Sequence, residues 1–201
     1  MANKAAKGGV FESEMCKKLS LWWTDGTRDD VFWRTGLSGG RATARAKRGL
    51  STAHQHGDIG PTDPIGAPLT DLFVFELKRG YSDATVQDLL DRLHTSKPGW
   101  FEQWVVKARE DCEAAGALGW LLITRRDRRK EMIWMERKTA EVLDDVVGGG
   151  TKWLSTVVPW VELVVNVRGK PDTMVWVCGT LLSNFVDRVK RDDILELAQI
   201  A

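Results

Sequence analysis

A mixed α/β fold is predicted by three stretches of the chain. Pro98–Gly116 carries apolar residues at helical spacing and ends at a glycine suited to a C-cap. Trp120–Thr124 and Met132–Glu136 are apolar runs on either side of a basic turn, a pattern typical of a β-hairpin. Asp71–Lys78 contains an apolar run of strand length. Elements mixed in this order favour a central mixed sheet flanked by helices.

The other elements follow from local periodicity and from the positions of glycine and proline. Towards the N-terminus we expect a helix over Gly9–Trp23, a strand over Asp30–Thr35, a long loop over Gly36–Gly57, a strand beginning at Gly57–Ile59 and an irregular proline-rich segment over Gly60–Thr70. Towards the C-terminus we expect a helix over Arg137–Val147, strands over Val161–Val167 and Thr173–Cys178, and a helix from about Leu181.

Composition argues against several classes of protein. The chain has 201 residues, enough for one domain with a sizeable core. Its 29 basic and 28 acidic residues nearly cancel, so only local charge can indicate a partner. The three cysteines show no CxxC spacing, which argues against a disulfide framework or a zinc ribbon. No apolar run is long enough to span a membrane and Met1–Lys7 lacks an apolar signal core, so we expect a cytoplasmic protein without a membrane partner.

The end of the strand over Asp71–Lys78 carries the residues that predict chemistry. Side chains alternate along a strand, so Glu76 and Lys78 lie next to each other on one face. Asp58 lies upstream in Gly57-Asp58-Ile59, and antiparallel pairing of its strand with this one would bring the two carboxylates together. Two carboxylates and a lysine can hold a hard divalent cation and activate a water. The arrangement predicts a metal-dependent phosphodiesterase.

A second E-x-K triplet, Glu136-Arg137-Lys138, also ends an apolar strand, so the pattern alone is weak evidence. Its nearest upstream acid of similar kind is Asp127, at the tip of the predicted hairpin. The tip and the far end of a strand of about eight residues lie roughly 25 Å apart at about 3.3 Å per residue. Asp127 and Glu136 therefore cannot share a metal ion, whereas Asp58 and Glu76 can.

Two basic segments predict contacts with phosphate. Val31–Gly57 has no acidic residue and contains the cations Arg34, Arg41, Arg45, Lys47 and Arg48. A solvated loop normally mixes its charges, so this segment is expected to meet the backbone of a nucleic acid. The turn Arg125–Lys130 is either a charged turn that protects a sheet edge or a second phosphate contact, and its sequence leaves both open.

The order of these motifs resembles that of the PD-(D/E)xK nuclease superfamily. The residues that carry the resemblance are Lys7-Gly8-x-x-x-Glu12, Arg34-x-x-x-Ser38-Gly39-Gly40, Gly57-Asp58-Ile59, Glu76-Leu77-Lys78 and Gln103. Within that superfamily the chain is most similar to archaeal-type Holliday-junction resolvases and to related phage or restriction-like endonucleases. The resemblance covers roughly residues 7 to 136. It implies a restriction-endonuclease-like core and a magnesium-dependent endodeoxyribonuclease, with Mn²⁺ able to replace Mg²⁺.

The resemblance also implies roles for particular residues. The carboxylates of Asp58 and Glu76 and the carbonyl oxygen of Leu77 would bind the metal, and a helix-borne acid would complete the site. That acid is Glu12, although Glu14 lies close enough in sequence to leave the choice open.

Lys78 would orient the attacking water or stabilise the charge of the transition state. Gln103 would be an accessory polar group on the following helix. Arg34, Ser38 and the remaining cations of the basic loop would bind DNA. One departure is Gly57, since the family often has proline before its aspartate.

Other functions are less well supported. His54-Gln55-His56-Gly57-Asp58 resembles the first metal motif of metallo-β-lactamase-fold hydrolases, but that fold needs further downstream histidines and the chain has only His94. Gly36–Gly40 lacks the lysine that ends a P-loop. Two alternatives stay open: a restriction-like or recombination nuclease on linear or single-stranded DNA, and a DNA-binding module of the same fold without turnover.

We interpret residues 1–150 as the nuclease core and residues 151–201 as a C-terminal extension of the same domain. Its two apolar strands and the ten tryptophans of the chain supply more hydrophobic surface than a short core needs. One PD-(D/E)xK site cuts one strand, so resolution of a four-way junction needs two sites related by a two-fold axis. We therefore expect a homodimer that uses this extension as its interface.

Overall fold

The computed structural model describes residues 4–35, 56–81, 89, 98–147, 160–166 and 174–200. In chain order the elements are α1 (Lys4–Trp23), β1 (Phe32–Arg34), β2 (Ile59–Pro61), a 3₁₀ turn (Pro64–Gly66), α2 (Ala67–Leu72), β3 (Phe73–Arg79), α3 (Trp100–Ala115), β4 (Gly119–Arg125), β5 (Met132–Glu136), α4 (Arg137–Val147), β6 (Trp160–Asn166), β7 (Met174–Leu181), α5 (Leu182–Arg188) and α6 (Arg191–Ile200).

The main sheet has five strands in the order β3-β4-β5-β7-β6. Strands β3 and β4 are parallel, and each of the other neighbouring pairs is antiparallel. Strands β1 and β2 pair with each other in a separate two-stranded sheet. The predicted mixed sheet flanked by helices is confirmed, and so is the hairpin of β4 and β5.

Hydrophobic cores form on both faces of the sheet, as alternation along β3 requires. Phe75 and Leu77 pack with residues of α1 on one face. Val74 packs with Trp104 and Val105 of α3 on the other face. Because Glu76 shares the face of Val74, its side chain points towards α3.

The prediction that Gly60–Thr70 is irregular was wrong, because Pro61 ends strand β2 and the other two prolines lie at the starts of helical elements. Pro64 begins the 3₁₀ turn, which the side chain of Asp63 caps by accepting a hydrogen bond from the backbone of Ile65. Pro68 is in the first turn of α2. At these positions the missing N–H of proline costs no hydrogen bond. Leu72 belongs to α2, so the catalytic strand begins at Phe73 rather than at Asp71.

The C-terminal region differs from prediction in its helices. One helix was expected from Leu181, but two are present, α5 and α6. Val189 is extended at the end of α5, and the backbone N–H of Lys190 donates to the carboxylate of Asp193 at 2.6 Å, which caps the start of α6. Strands β6 and β7 belong to the same sheet as β3, β4 and β5, while the boundary at residue 150 stays a prediction.

None of the helices that the structure describes is both long and apolar enough to span a bilayer.

Candidate functional site

Asp58 forms hydrogen bonds with the outer edge of β3 through both its backbone and its side chain. The backbone N–H of Asp58 donates to the carbonyl of Phe75 at 2.7 Å. One carboxylate oxygen of Asp58, Oδ2, accepts the backbone N–H of Leu77 at 2.7 Å. Strand β2, which begins at the next residue, pairs with β1 and not with β3. The expected antiparallel ladder is therefore replaced by these contacts of Asp58, which still bring its carboxylate to the strand of Glu76.

Gly57 makes this close approach feasible. Its φ of +81° lies in the left-handed region, which favours glycine. A Cβ atom at this position would lie 2.4 Å from the carbonyl oxygen of Phe75, well inside van der Waals contact. Proline, with φ fixed near −65°, cannot adopt this conformation. The departure of Gly57 from the family pattern thus has a structural reason in this chain.

Glu76 is fully buried, and its two carboxylate oxygens have different surroundings. Oε1 pairs with the ammonium group of Lys78. Within the described residues, Oε2 is buried without a hydrogen bond, and the ammonium nitrogen of Lys107 lies 3.4 Å away in a long ion pair. A buried carboxylate oxygen without a hydrogen bond is costly in a folded protein, so its retention requires an explanation.

The carboxylate of Glu76 is close enough to Asp58 to disfavour the charged form of Asp58. Burial and, after it, the negative charge of Glu76 raise the pKa of Asp58 to about 7, against the opposing effects of Lys78 and the Leu77 N–H. A divalent cation between the two groups would remove this repulsion and would take the oxygen of Glu76 that has no hydrogen bond.

The donor set fits a magnesium ion. Within the described residues, no three His, Cys, Asp or Glu side chains come close enough to share a cation, so the side chains supply the two carboxylates of Asp58 and Glu76. The N–H and the carbonyl of one residue point to the same side of a strand, so the Leu77 carbonyl faces the edge that Asp58 approaches. Mg²⁺ prefers one or two carboxylates and keeps several positions for water or phosphate.

Glu12 and Glu14 differ in their surroundings. The carboxylate of Glu14 pairs with Arg125 at 2.6 Å and lies 3.8 Å from Arg79. The charge of Glu12 contributes to raising the pKa of Asp58. After burial, the same charge is the largest cause that raises the pKa of Cys16 to about 12. Glu12 is thus close enough to influence the pKa of Asp58, whereas Glu14 is engaged with two arginines, which favours Glu12 as the accessory acid.

Gln103, the predicted accessory residue, does not contact Lys78 in this structure. Its side-chain amide is exposed and donates to the carbonyl of Pro98 at 2.7 Å. Lys107, one helical turn further along α3, is the residue that meets Glu76. Sequence analysis missed Lys107, although its spacing of four residues from Gln103 places both on one face of the helix.

Arg34 is the one predicted DNA-binding residue inside the described part of the chain. Its guanidinium group lies over α1, where a Cβ atom added to Gly9 would be 2.7 Å from Nη1. Ser38, Arg41, Arg45, Lys47 and Arg48 lie outside the described residues.

The cations of the basic turn between β4 and β5 fall into two groups, one in ion pairs and one exposed to solvent. Arg125 pairs with Glu14 and also with Glu131, at 3.0 Å. The cations that follow are exposed, namely Arg126, Arg128, Arg129 and Lys130. The turn therefore presents a cluster of positive charge to solvent, as either of its two interpretations requires.

The second E-x-K triplet forms a satisfied ion-pair cluster. Oε1 of Glu136 accepts the indole N–H of Trp120 at 3.0 Å and pairs with Nε of Arg109 at 2.9 Å. Oε2 pairs with Lys138 at 3.2 Å. Like Glu76, Glu136 belongs to no group of three or more His, Cys, Asp or Glu side chains that could share a cation within the described residues. Both oxygens of Glu136 are used by donors that belong to the protein.

A cleft of about 290 Å³ lies beside Glu136. Its lining consists of Arg109, Glu136, Arg137, Lys138, Glu141, Met174, Val175 and Trp176. The cations in it are already paired, since Arg137 also contacts Glu141 and Glu162 at 2.9 Å each. Both carboxylates that line this cleft, Glu136 and Glu141, pair with arginine or lysine side chains, so the size of the cleft alone does not make it a metal site.

Residues 3–196 match the family described as "Phage putative PDDEXK endonuclease". The match spans nearly the whole chain and includes both the candidate site and strands β6 and β7. No curated protein and no solved structure matches the chain significantly.

Proposed function

The chain belongs to this PD-(D/E)xK endonuclease family, which confirms the predicted superfamily and the restriction-endonuclease-like core. From that membership we propose that it is a magnesium-dependent endodeoxyribonuclease whose site is formed by Asp58, Glu76 and Lys78. The observation that carries the proposal is the pair of buried carboxylates at the edge of β3, one of which keeps an oxygen without a hydrogen bond.

In this proposal each residue of the site has a separate role in metal binding or in stabilising charge. Asp58, Glu76 and the carbonyl of Leu77 hold the cation, and Glu12 assists from α1. A bound divalent cation supplies a nucleophilic water at neutral pH and neutralises phosphate charge. Lys78, whose ammonium group pairs with Glu76, provides a fixed positive charge beside the phosphate that is attacked. The products would be a 5′-phosphate and a 3′-hydroxyl, as the family resemblance implies.

We further propose that the preferred substrate is branched DNA such as a Holliday junction and that the enzyme acts as a homodimer. Support for an interface comes from β6 and β7, where Val161, Met174 and Trp176 are exposed, Met174 at 62% and Trp176 at 50% of their surface. Exposed apolar side chains on neighbouring strands are typical of surfaces that pair with another protein chain. Light scattering of the chain alone and on a four-way junction tests the dimer, and a strict monomer in both would remove the resolvase function.

Binding to DNA is assigned to Arg34 and to the cations of the basic loop. Each phosphate contact that is lost lowers the slope of log K against log salt by roughly 0.9. Simultaneous replacement of Arg41, Arg45 and Arg48 by alanine is therefore expected to weaken binding to all DNA sequences and to flatten that slope. An unchanged slope would show that the loop does not contact the backbone.

The proposed function is tested by incubating the protein with labelled duplex, flap, single-stranded and four-way-junction DNAs in Mg²⁺, in Mn²⁺ and in EDTA. Cleavage that requires the metal and is fastest on the junction is expected. Metal-dependent cleavage of linear DNA alone would favour the restriction-like or recombination nuclease. Binding without cleavage of any substrate would favour a DNA-binding module that has kept the fold.

A further inference from the structure

Lys107 connects the candidate metal site to an acidic residue on the surface of α3. Its ammonium nitrogen lies 3.4 Å from Oε2 of Glu76 and 2.5 Å from a carboxylate oxygen of Asp111. Glu76 is buried, whereas the side chain of Lys107 is 51% exposed and that of Asp111 is 27% exposed. The lysine therefore stands between a buried carboxylate and a carboxylate near solvent.

The two contacts of Lys107 are unequal. The contact with Asp111 is a hydrogen-bonded ion pair of i,i+4 spacing on one helix. The contact with Glu76 is long and leaves Oε2 without a hydrogen bond. Burial acts to lower the pKa of Lys107, but the hydrogen bond to Asp111 and the charge of Glu76 outweigh it and raise the pKa. Lys107 is thus a cation at neutral pH, held more firmly by Asp111 than by Glu76.

A divalent cation bound by Glu76 would repel the ammonium group of Lys107 if Lys107 stayed in its present position. Like charges a few ångströms apart interact unfavourably even near the surface of a protein. Lys107 has a flexible stem and a second partner near solvent, so it can leave Glu76 without losing its own compensation.

We propose that Lys107 is a second counter-charge, besides Lys78, that compensates Oε2 of Glu76 before metal binding, and that Asp111 retains Lys107 when the metal displaces it. The inference rests on the proposed function, because it assumes that Asp58 and Glu76 bind a divalent cation. In this account Lys107 and Asp111 are positioning residues that set the affinity for the metal.

Calorimetric titration of Mn²⁺ into the full chain without DNA tests this. Lys107→Gln is expected to bind Mn²⁺ roughly fivefold more tightly than the wild type, because a competitor for Glu76 is removed. Asp111→Asn is expected to bind roughly fivefold more weakly, because Lys107 then has Glu76 as its remaining partner. Glu113→Gln is the matched control for Asp111→Asn, since it removes one negative charge from an exposed position of the same helix.

A general charge effect would shift the Mn²⁺ affinities of the two single variants in the directions given above. The double variant, which combines Lys107→Gln with Asp111→Asn, distinguishes the proposal from such an effect. If Asp111 acts through Lys107, Asp111→Asn weakens Mn²⁺ binding in the wild-type background and has no effect in the Lys107→Gln background. Equal effects of Asp111→Asn in the two backgrounds would overturn the inference and leave the proposed function intact. Failure of the wild type to bind Mn²⁺ would overturn both.

Discussion

Two strands of one sheet end in an E-x-K triplet, and their glutamates are used in different ways. Glu76 lies on β3, at the edge of the sheet, where Asp58 approaches it and one of its oxygens has no hydrogen bond. Glu136 lies on β5, between β4 and β7, and donors of the protein contact both of its oxygens. Both side chains are buried and both have a lysine two residues further along the chain.

The difference lies in what surrounds each strand rather than in the triplet itself. The outer edge of β3 has backbone groups available to Asp58, whereas both edges of β5 pair with neighbouring strands. Arg137, the middle residue of the second triplet, starts α4, so its backbone enters a helix. A cation site can therefore form at the triplet of β3, while the same pattern on β5 yields an ion-pair cluster that supports the fold.

The largest expected effect is the loss of cleavage on changing Glu76. Glu76→Gln removes a metal ligand while it keeps the size of the side chain, and the rate should fall by at least about a thousandfold, since several kcal/mol of barrier are at stake. Glu136→Gln is the matched change on β5. It should leave the cleavage rate per folded molecule within about threefold and lower the free energy of unfolding by about 1–3 kcal/mol, because Arg109 loses the closer of its two charged partners, Glu136 and Glu113. Gel assays and urea unfolding measure the two effects, and equal loss of cleavage in both variants would contradict the comparison.

The lysines of the two triplets give the next contrast. Lys78→Ala should reduce cleavage by about a hundredfold, the range seen when one group that stabilises a transition-state charge is removed. Lys138, whose side chain is 70% exposed, pairs with a glutamate outside the site. Lys138→Ala should therefore cleave at a rate within about twofold of the wild-type rate. A loss similar to that of Lys78→Ala would contradict the assignment of the chemistry to the triplet of β3.

A substitution at Gly57 tests the close approach of Asp58 to β3. Gly57→Ala and Gly116→Ala both place alanine at a positive φ, which costs about 1 kcal/mol. A Cβ at Gly57 also collides with the carbonyl of Phe75, whereas a Cβ at Gly116 meets no atom within 4 Å. Gly57→Ala should therefore lose both stability and cleavage, and Gly116→Ala should lose stability only. Equal unfolding free energies for the two variants would count against the close approach.

A smaller effect is expected from pH in the absence of metal. The pKa of Asp58 rises from 3.8 to about 7 on folding, so the folded state binds the proton more tightly than the unfolded state. The stability contribution of Asp58 therefore falls as pH rises between these values, and the cost of its charge is fully present above pH 7. Asp58→Asn should raise the Tm in EDTA at pH 8 and should change it little near pH 4. A gain in Tm that is the same at both pH values would disprove the raised pKa.

Sequence alone was sufficient where the signal is local. The strand end with Glu76 and Lys78, the helix ending before Gly116 and the hairpin each depend on periodicity or turn residues within one short segment. Gly60–Thr70 was misread because proline both disrupts helices and begins them, and its position in a helix cannot be known before the helix is found.

The accessory residue on α3 could not be chosen from the sequence. Gln103 and Lys107 share a helix face, and which of them reaches Glu76 depends on how far α3 is displaced along β3. That displacement is set by the packing of Trp104 and Val105 against Val74, which involves segments distant in sequence. The free oxygen of Glu76 likewise depends on burial by several elements together.

Iron-dependent affinity cleavage of the protein backbone tests the central claim most directly, which is that the cation binds at the edge of β3. Fe²⁺ accepts the same carboxylate and carbonyl oxygens, and hydroxyl radicals formed at the bound ion cut the chain close to its ligands. Cuts are expected near Asp58 and near Glu76–Leu77, and they should disappear in Glu76→Gln and persist in Glu136→Gln. Cuts near Glu136, or cuts that survive in Glu76→Gln, would contradict the account.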